Sequence, residues 1–135
     1  MDVDFVRGVC RKLPGTTEHV QWGADLVFKV GGKMYAVTPL EPAPVCLSFK
    51  CSPEDFADLT ERPGIIPAPY LARAQWVALE SEDALPAVEI RRYLKQSYEL
   101  VFAKLPKKAQ AGLANTQPVK ATTRGPRTSR GAITK

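Results

Sequence analysis

The run from Trp22 to Thr38, Trp-Gly-Ala-Asp-Leu-Val-Phe-Lys-Val-Gly-Gly-Lys-Met-Tyr-Ala-Val-Thr, constrains the fold more than any other part of the chain. Leu26, Phe28 and Val30 alternate with smaller or more polar neighbours, and Tyr35 and Val37 resume the alternation. Between them Gly31-Gly32 supplies two residues that adopt positive φ without steric cost, so the pattern predicts a β-hairpin with a two-residue loop. Such a loop sets the register: Val30 opposite Lys33, Phe28 opposite Tyr35, Leu26 opposite Val37, with this face in a core. Val27, Lys29, Met34 and Ala36 fall on the opposite face, a mixed set suited to partial cover.

The flanking segments supply what this hairpin packs against. Phe5, Val9 and Leu13 recur at helical spacing, widened by Val6 and Cys10, so Asp2 to Leu13 reads as a helix ended by Pro14-Gly15. Thr16 to Gln21 reads as a polar connection. After the proline-rich loop Pro39 to Pro44, Val45, Leu47, Phe49 and Cys51 alternate as a third strand, antiparallel to the hairpin in a meander. Ser52-Pro53-Glu54-Asp55 combines an N-cap, a first-turn proline and an acid three residues after the cap, predicting a helix to Arg62. Pro67 and Pro69 keep Ile65 to Ala74 extended or looped, and Trp76 to Leu79 is a short strand. A helix of about 20 residues opens at Pro86 and ends before Pro106, with Leu94, Tyr98, Val101 and Leu105 in one stripe toward the sheet.

Charge divides the chain more sharply than hydropathy does. From Lys104 to the end there are eight cations and no acid, leaving eleven cations against fourteen acids in residues 1–103, a net of −3. With 135 residues and 44% hydrophobic content, one core is expected, in residues 1–112. Residues 113–135 hold too little apolar surface to offset their ordering entropy, which predicts a flexible, disordered basic tail. Three cysteines without a Cys-x-x-Cys pair or a secretory signal pattern predict a reduced, cytoplasmic protein. No apolar run approaches the roughly 20 residues of a membrane span.

Sharp chemical signals are few. Cys10, Cys46, Cys51 and His19 would be the ligands of any metal site, but Cys46 and Cys51 have opposite parity in one strand and should point to opposite faces. Cys10 suits a small core position, and the acids on Glu54, Asp55, Asp58 and Glu61 form an ordinary solvated helix side, so neither metal nor cofactor is expected. His19 has no nucleophile motif beside it, and Gly31-Gly32 lies between two strands, where it is a turn and not a phosphate loop. No catalytic constellation emerges, and a non-enzymatic role is expected. Trp22 and Trp76 suit core or core-edge packing better than base stacking. Lys29, Lys33 and Lys50 lie on or beside strands, either as a patch or as a solvated face. Lys120, Arg124, Arg127 and Arg130, with two Arg-Gly pairs, make the terminal segment attractive to polyanions.

Several segments together resemble the bacterial MmcQ/YjbR family. They are Leu13-Pro-Gly-Thr-Thr-Glu18, Trp22-Gly23, Val27-Phe-Lys-Val-Gly-Gly-Lys-Met34, Ser48-Phe-Lys-Cys51 with Pro53-Glu54, the Pro-x-Tyr70 segment, Trp76, and Ser97-Tyr-Glu-Leu-Val101 followed by Ala103-Lys-Leu-Pro-Lys-Lys108. The resemblance covers roughly residues 5 to 110 and implies an α+β fold, frataxin-like or double-wing, with an antiparallel sheet and helices packed on one face. It also implies DNA binding, by fold comparison. Gln75 stands where relatives often carry a basic or imidazole residue before the tryptophan, with Arg73 two positions earlier. The expected reading is a monomeric DNA-binding protein of weak sequence specificity. Its contacts would come from Lys29, Lys33, Lys50, Arg73, Trp76, Lys107 and Lys108, with Lys120, Arg124, Arg127 and Arg130 of the tail. The competing reading is a protein-interaction module with the basic tail as tether.

Overall fold

The computed structural model describes residues 1–114. The expected tail, with Lys120, Arg124, Arg127 and Arg130, lies outside the described residues apart from its first two positions, which continue a helix.

Helix α1 spans Val3–Cys10, capped by Asp2, whose carboxylate accepts from the Phe5 N–H at 2.8 Å. It is shorter than its periodicity predicts. After Cys10 the backbone tightens to i→i−3 bonds, Lys12 to Val9 and Leu13 to Cys10, and Leu13 still reaches the core from that turn.

The segment expected to be a polar connection is instead a strand, β1 (Thr17–Gln21), paired antiparallel with β2 (Asp25–Val30). As an edge strand with Val20 facing solvent it has no apolar alternation to betray it. Its Glu18 is gripped by Arg7 of α1 and by Arg11 at that helix's C-cap, each at 2.9 Å. Burial opposes ionisation of that carboxyl, but the two guanidiniums outweigh it and hold it below its ordinary value.

Strand β2 turns into β3 (Lys33–Pro39) through Gly31 at φ +59 and Gly32 at φ +81, as the glycine pair predicts. The register beyond the turn differs from the expected one. Val30 faces Lys33 and Lys29 faces Met34, then a bulge intervenes, so that Phe28 faces Ala36, Val27 faces Val37 and Leu26 faces Thr38. Tyr35 is the extra residue, and Val37 and Ala36 exchange the faces that strict alternation gives them. The bulge lets both Tyr35 and Ala36 face the helices. Tyr35 sits edge-on to Tyr98 at 5.5 Å between ring centroids, and its hydroxyl bonds the buried Thr16 hydroxyl at 2.8 Å.

Strand β4 (Leu47–Lys50) continues the meander antiparallel to β3. Helix α2 (Pro53–Leu59) starts at the expected Ser52 cap, whose hydroxyl accepts from the Asp55 N–H at 3.1 Å. It stops short of Arg62: after Thr60 the backbone tightens to i→i−3 bonds, Glu61 to Asp58 and Arg62 to Leu59, and Pro63-Gly64 turns the chain. The proline-containing stretch begins as a short edge strand, β5 (Ile65–Pro67), and β6 (Trp76–Leu79) inserts between it and β4. The sheet order is β1-β2-β3-β4-β6-β5, antiparallel throughout.

Helix α3 (Ala87–Ala103) lies on the sheet, and a helix not expected from the sequence, α4 (Lys107–Ala114), follows it. Helices occupy one face, giving the expected α+β architecture. The core between the layers gathers Val6, Phe28, Phe49, Leu59, Ile90 and Leu94, each fully buried and each contributing about 1.5 to 3 kcal/mol by removal from water. On the opposite face a smaller cluster of Ala68, Trp76 and Ala78 is covered by Leu71, Met34 and Ile66. Among the described residues no helix is long and apolar enough to cross a membrane.

Candidate nucleic-acid interface

One end of the sheet collects the hairpin tip, the last residue of β4, the first of β6, the end of α3 and the start of α4. Leu105 is the joint. A Cβ built on Gly31 would stand 2.6 Å from Leu105 Cδ1, so glycine at the tip serves both the positive φ and the close approach of this side chain. Gln110 of α4 donates its side-chain amide to the carbonyls of Leu105 at 2.8 Å and Ala103 at 3.2 Å, satisfying groups that the end of α3 leaves open. These contacts fix Lys33, Lys104, Lys107 and Lys108 at the same end, all exposed.

Lys50 closes the other side of that end. Its ammonium donates to the Ala74 carbonyl at 2.6 Å, tying β4 to the turn formed by Ala72–Ala74, where Arg73 is exposed. Burial, followed by the nearby positive charge of Lys104, lowers the Lys50 pKa from its usual value. Gln75, in a left-handed conformation at φ +65, presents its carbonyl to the Cys51 N–H at 2.9 Å and so anchors the loop from its far side. Ser97 of α3 completes the arrangement between strands. Its hydroxyl donates to the Tyr35 carbonyl at 2.6 Å and accepts from the Lys50 N–H at 3.0 Å, standing between β3 and β4 just beyond their last paired residues.

Of the residues singled out from the sequence, Lys33, Lys50, Arg73, Lys107 and Lys108 therefore share one end. Lys29 lies one step back, opposite Thr17 on the outer face, half-buried beside His19. Trp76 pairs with Lys50 across the strands but is only 4% exposed, so its ring floors the loop and does not stand free for stacking. Trp22 departs from the expected core packing: it is 66% exposed in the β1–β2 turn at φ +51, at the opposite end of the sheet. Sequence reasoning passed over Lys104. Its signal was its place between the amphipathic stripe of α3 and Pro106, at a helix C-terminus where a cation is favoured. Among the described residues the ion pairs involve Arg7, Arg11, Arg62, Arg92 and the N-terminus, and none involves these lysines or Arg73.

The thiols behave as core groups. Burial pushes Cys10 and Cys51 up to about 12. Cys46 lies before β4 begins, so the parity argument fails for it and it borders the same core as Cys51. No group of three or more His, Cys, Asp or Glu that could hold a metal occurs among the described residues.

A six-stranded antiparallel sheet with helices on one face, its lysines gathered at one end, defines a small α+β domain. The chain belongs to the YjbR family, whose model matches residues 11–100. A crystal structure of the Deinococcus radiodurans protein DR2400, carrying a DUF419 domain, is similar at 31% identity and a TM-score of 0.76, with 92% of this chain and 96% of that chain covered. A Pseudomonas syringae protein shares the fold at 23% identity and a TM-score of 0.60, over 75% of this chain and 99% of that chain. No curated protein matches.

Proposed function

We propose that this domain is a non-catalytic, cytoplasmic DNA-binding module that acts as a monomer and engages the phosphate backbone with its cationic end. The observation that carries the reading is the convergence of Lys33, Lys50, Arg73, Lys104, Lys107 and Lys108 on one end, with no carboxylate among the described residues paired to any of them. Counterion release by such a cluster gives salt-dependent affinity with little base readout, because the first turn of α4 offers lysines and its one amide, Gln110, is spent on the Leu105 and Ala103 carbonyls. The terminal cations Lys120, Arg124, Arg127 and Arg130 add to the same attraction. Free thiols at Cys10, Cys46 and Cys51 support a reducing compartment.

The test is fluorescence-anisotropy titration of a labelled random duplex over a salt series. The full chain should give a log-log slope of about −4 to −7, and Lys104→Glu/Lys107→Glu/Lys108→Glu should make it shallower by about 2 to 3. Absence of binding at about 50 mM salt, where phosphate contacts are strongest, would end this reading.

A further inference from the structure

The outer side of the helical layer carries a feature that the cationic end does not use. Helices α1 and α3 run alongside each other in the same direction, with Arg91 over the Phe5 ring at 5.3 Å and the Tyr98 hydroxyl donating to the Pro14 carbonyl at 2.6 Å. Between them lies an open groove of about 600 Å³. Its apolar lining comes from half-buried Phe5, Val9 and Leu13 of α1 and its turn, which pack on the core beneath, and from Val88 of α3, 69% exposed. Lys12, Arg91 and Lys95 are exposed cations of its lining, with Arg92, whose guanidinium is 3.8 Å from the Glu89 carboxylate, and Asp4 is the one acid in the lining.

Gly8 sits at the middle of the α1 wall, and a Cβ there would meet nothing within 4 Å. A glycine inside a helix lowers its stability, and no internal neighbour requires this one. Its bare backbone leaves room for another chain to approach the apolar lining closely. The α3 wall repeats at helical spacing, Val88, Arg91, Arg92 and Lys95, so the groove presents about two turns of matched length. The terminal segment of this chain is an unsuitable occupant, since residues 115–135 bring five cations and no acid to a cationic groove.

We infer that the α1–α3 groove docks a short acidic amphipathic helix of a partner protein. Its apolar stripe lies on Phe5, Val9 and Leu13 beside Gly8, and its carboxylates meet Lys12, Arg91 and Lys95. Apolar anchors in the groove supply affinity, while the exposed cations select an acidic segment and steer it.

The probe is a fluorescein-labelled 14-residue helix of leucine and glutamate with leucines at i, i+3, i+4 and i+7, titrated against the full chain at about 150 mM salt, where exposed charges are well screened. A peptide of identical composition with its leucines dispersed around the helix is the control. The striped peptide should bind at least about tenfold tighter than the control. Gly8→Gln, which fills open space with a better helix former, and Lys95→Glu should each weaken it about tenfold without lowering thermal stability. Lys107→Glu/Lys108→Glu should leave it unchanged. Equal binding of both peptides would reduce the groove to a charged surface and overturn the inference, as would indifference to Gly8→Gln. A duplex whose affinity falls with Lys95→Glu as much as the peptide's would identify a phosphate surface, overturning the docking inference while leaving nucleic-acid binding in place.

Discussion

The two ends of the sheet carry opposite charge, and they are built differently. At the cationic end the charges sit on the ends of regular elements joined by buried or backbone contacts: Leu105 against Gly31, Gln110 on the α3 carbonyls, Lys50 on Ala74. At the other end Glu41, Glu80, Glu82 and Asp83 are exposed in the loops that follow β3 and β6. There Glu82 makes only a 3.9 Å contact with the N-terminal ammonium. The lysine positions are thus set by the core, whereas the acids belong to loops that the core does not fix. A surface that must present charge in a constant spacing needs the first kind of construction.

The largest test of that contrast removes the joint. Leu105→Ala should cost about 2 to 4 kcal/mol in urea denaturation and weaken duplex binding as well, although Leu105 carries no charge. Loss of stability alone, with affinity unchanged in the folded protein, would show that the lysines do not depend on this contact. Gly31→Ala attacks the same place from the hairpin side. The positive φ and the clash with Leu105 together should cost about 2 kcal/mol.

A carboxylate of β1 gives an intermediate effect. Glu18→Gln should cost about 1 kcal/mol at pH 7, the modest value reflecting partial exposure of the carboxylate and its two arginines. Because the folded state holds this carboxyl below its ordinary value of 4.5, its contribution is present above that value and is lost as pH falls through the lower folded value. The gap between wild type and variant, followed by thermal melts, should therefore shrink only in acid. The smallest effect belongs to loop charges. Glu80→Lys/Glu82→Lys at the acidic end should change stability by less than about 0.5 kcal/mol. It should raise duplex affinity much less than the triple lysine reversal lowers it; equal and opposite changes would mean that net charge, not arrangement, governs binding.

What could be read from the sequence was what short range decides. The Gly31-Gly32 turn, the Ser52 cap and the stripe of α3 are specified within a few residues, and the structure places them as expected. The hairpin register was not, because either Tyr35 or Ala36 suits the core face until Thr16 and Tyr98 are known to be waiting for the phenol. Strand β1 was hidden since an edge strand held by Arg7 and Arg11 needs no apolar alternation. Helix α4 is weakly apolar, and its docking depends on a contact between Leu113 and Gly15 at the other end of the described chain. The site followed the same rule. Individual lysines were visible, but their convergence with Lys104 is a property of the Leu105 contact.

The Ser97 hydroxyl makes a helix side chain a rung in the hydrogen-bonding ladder between β3 and β4. The Lys50 amide is consequently shielded from solvent exchange by the seating of α3 and not by a neighbouring strand. Its exchange rate reports how often the long helix lifts from the sheet, so a single amide at the cationic end would record a motion of the whole helical layer.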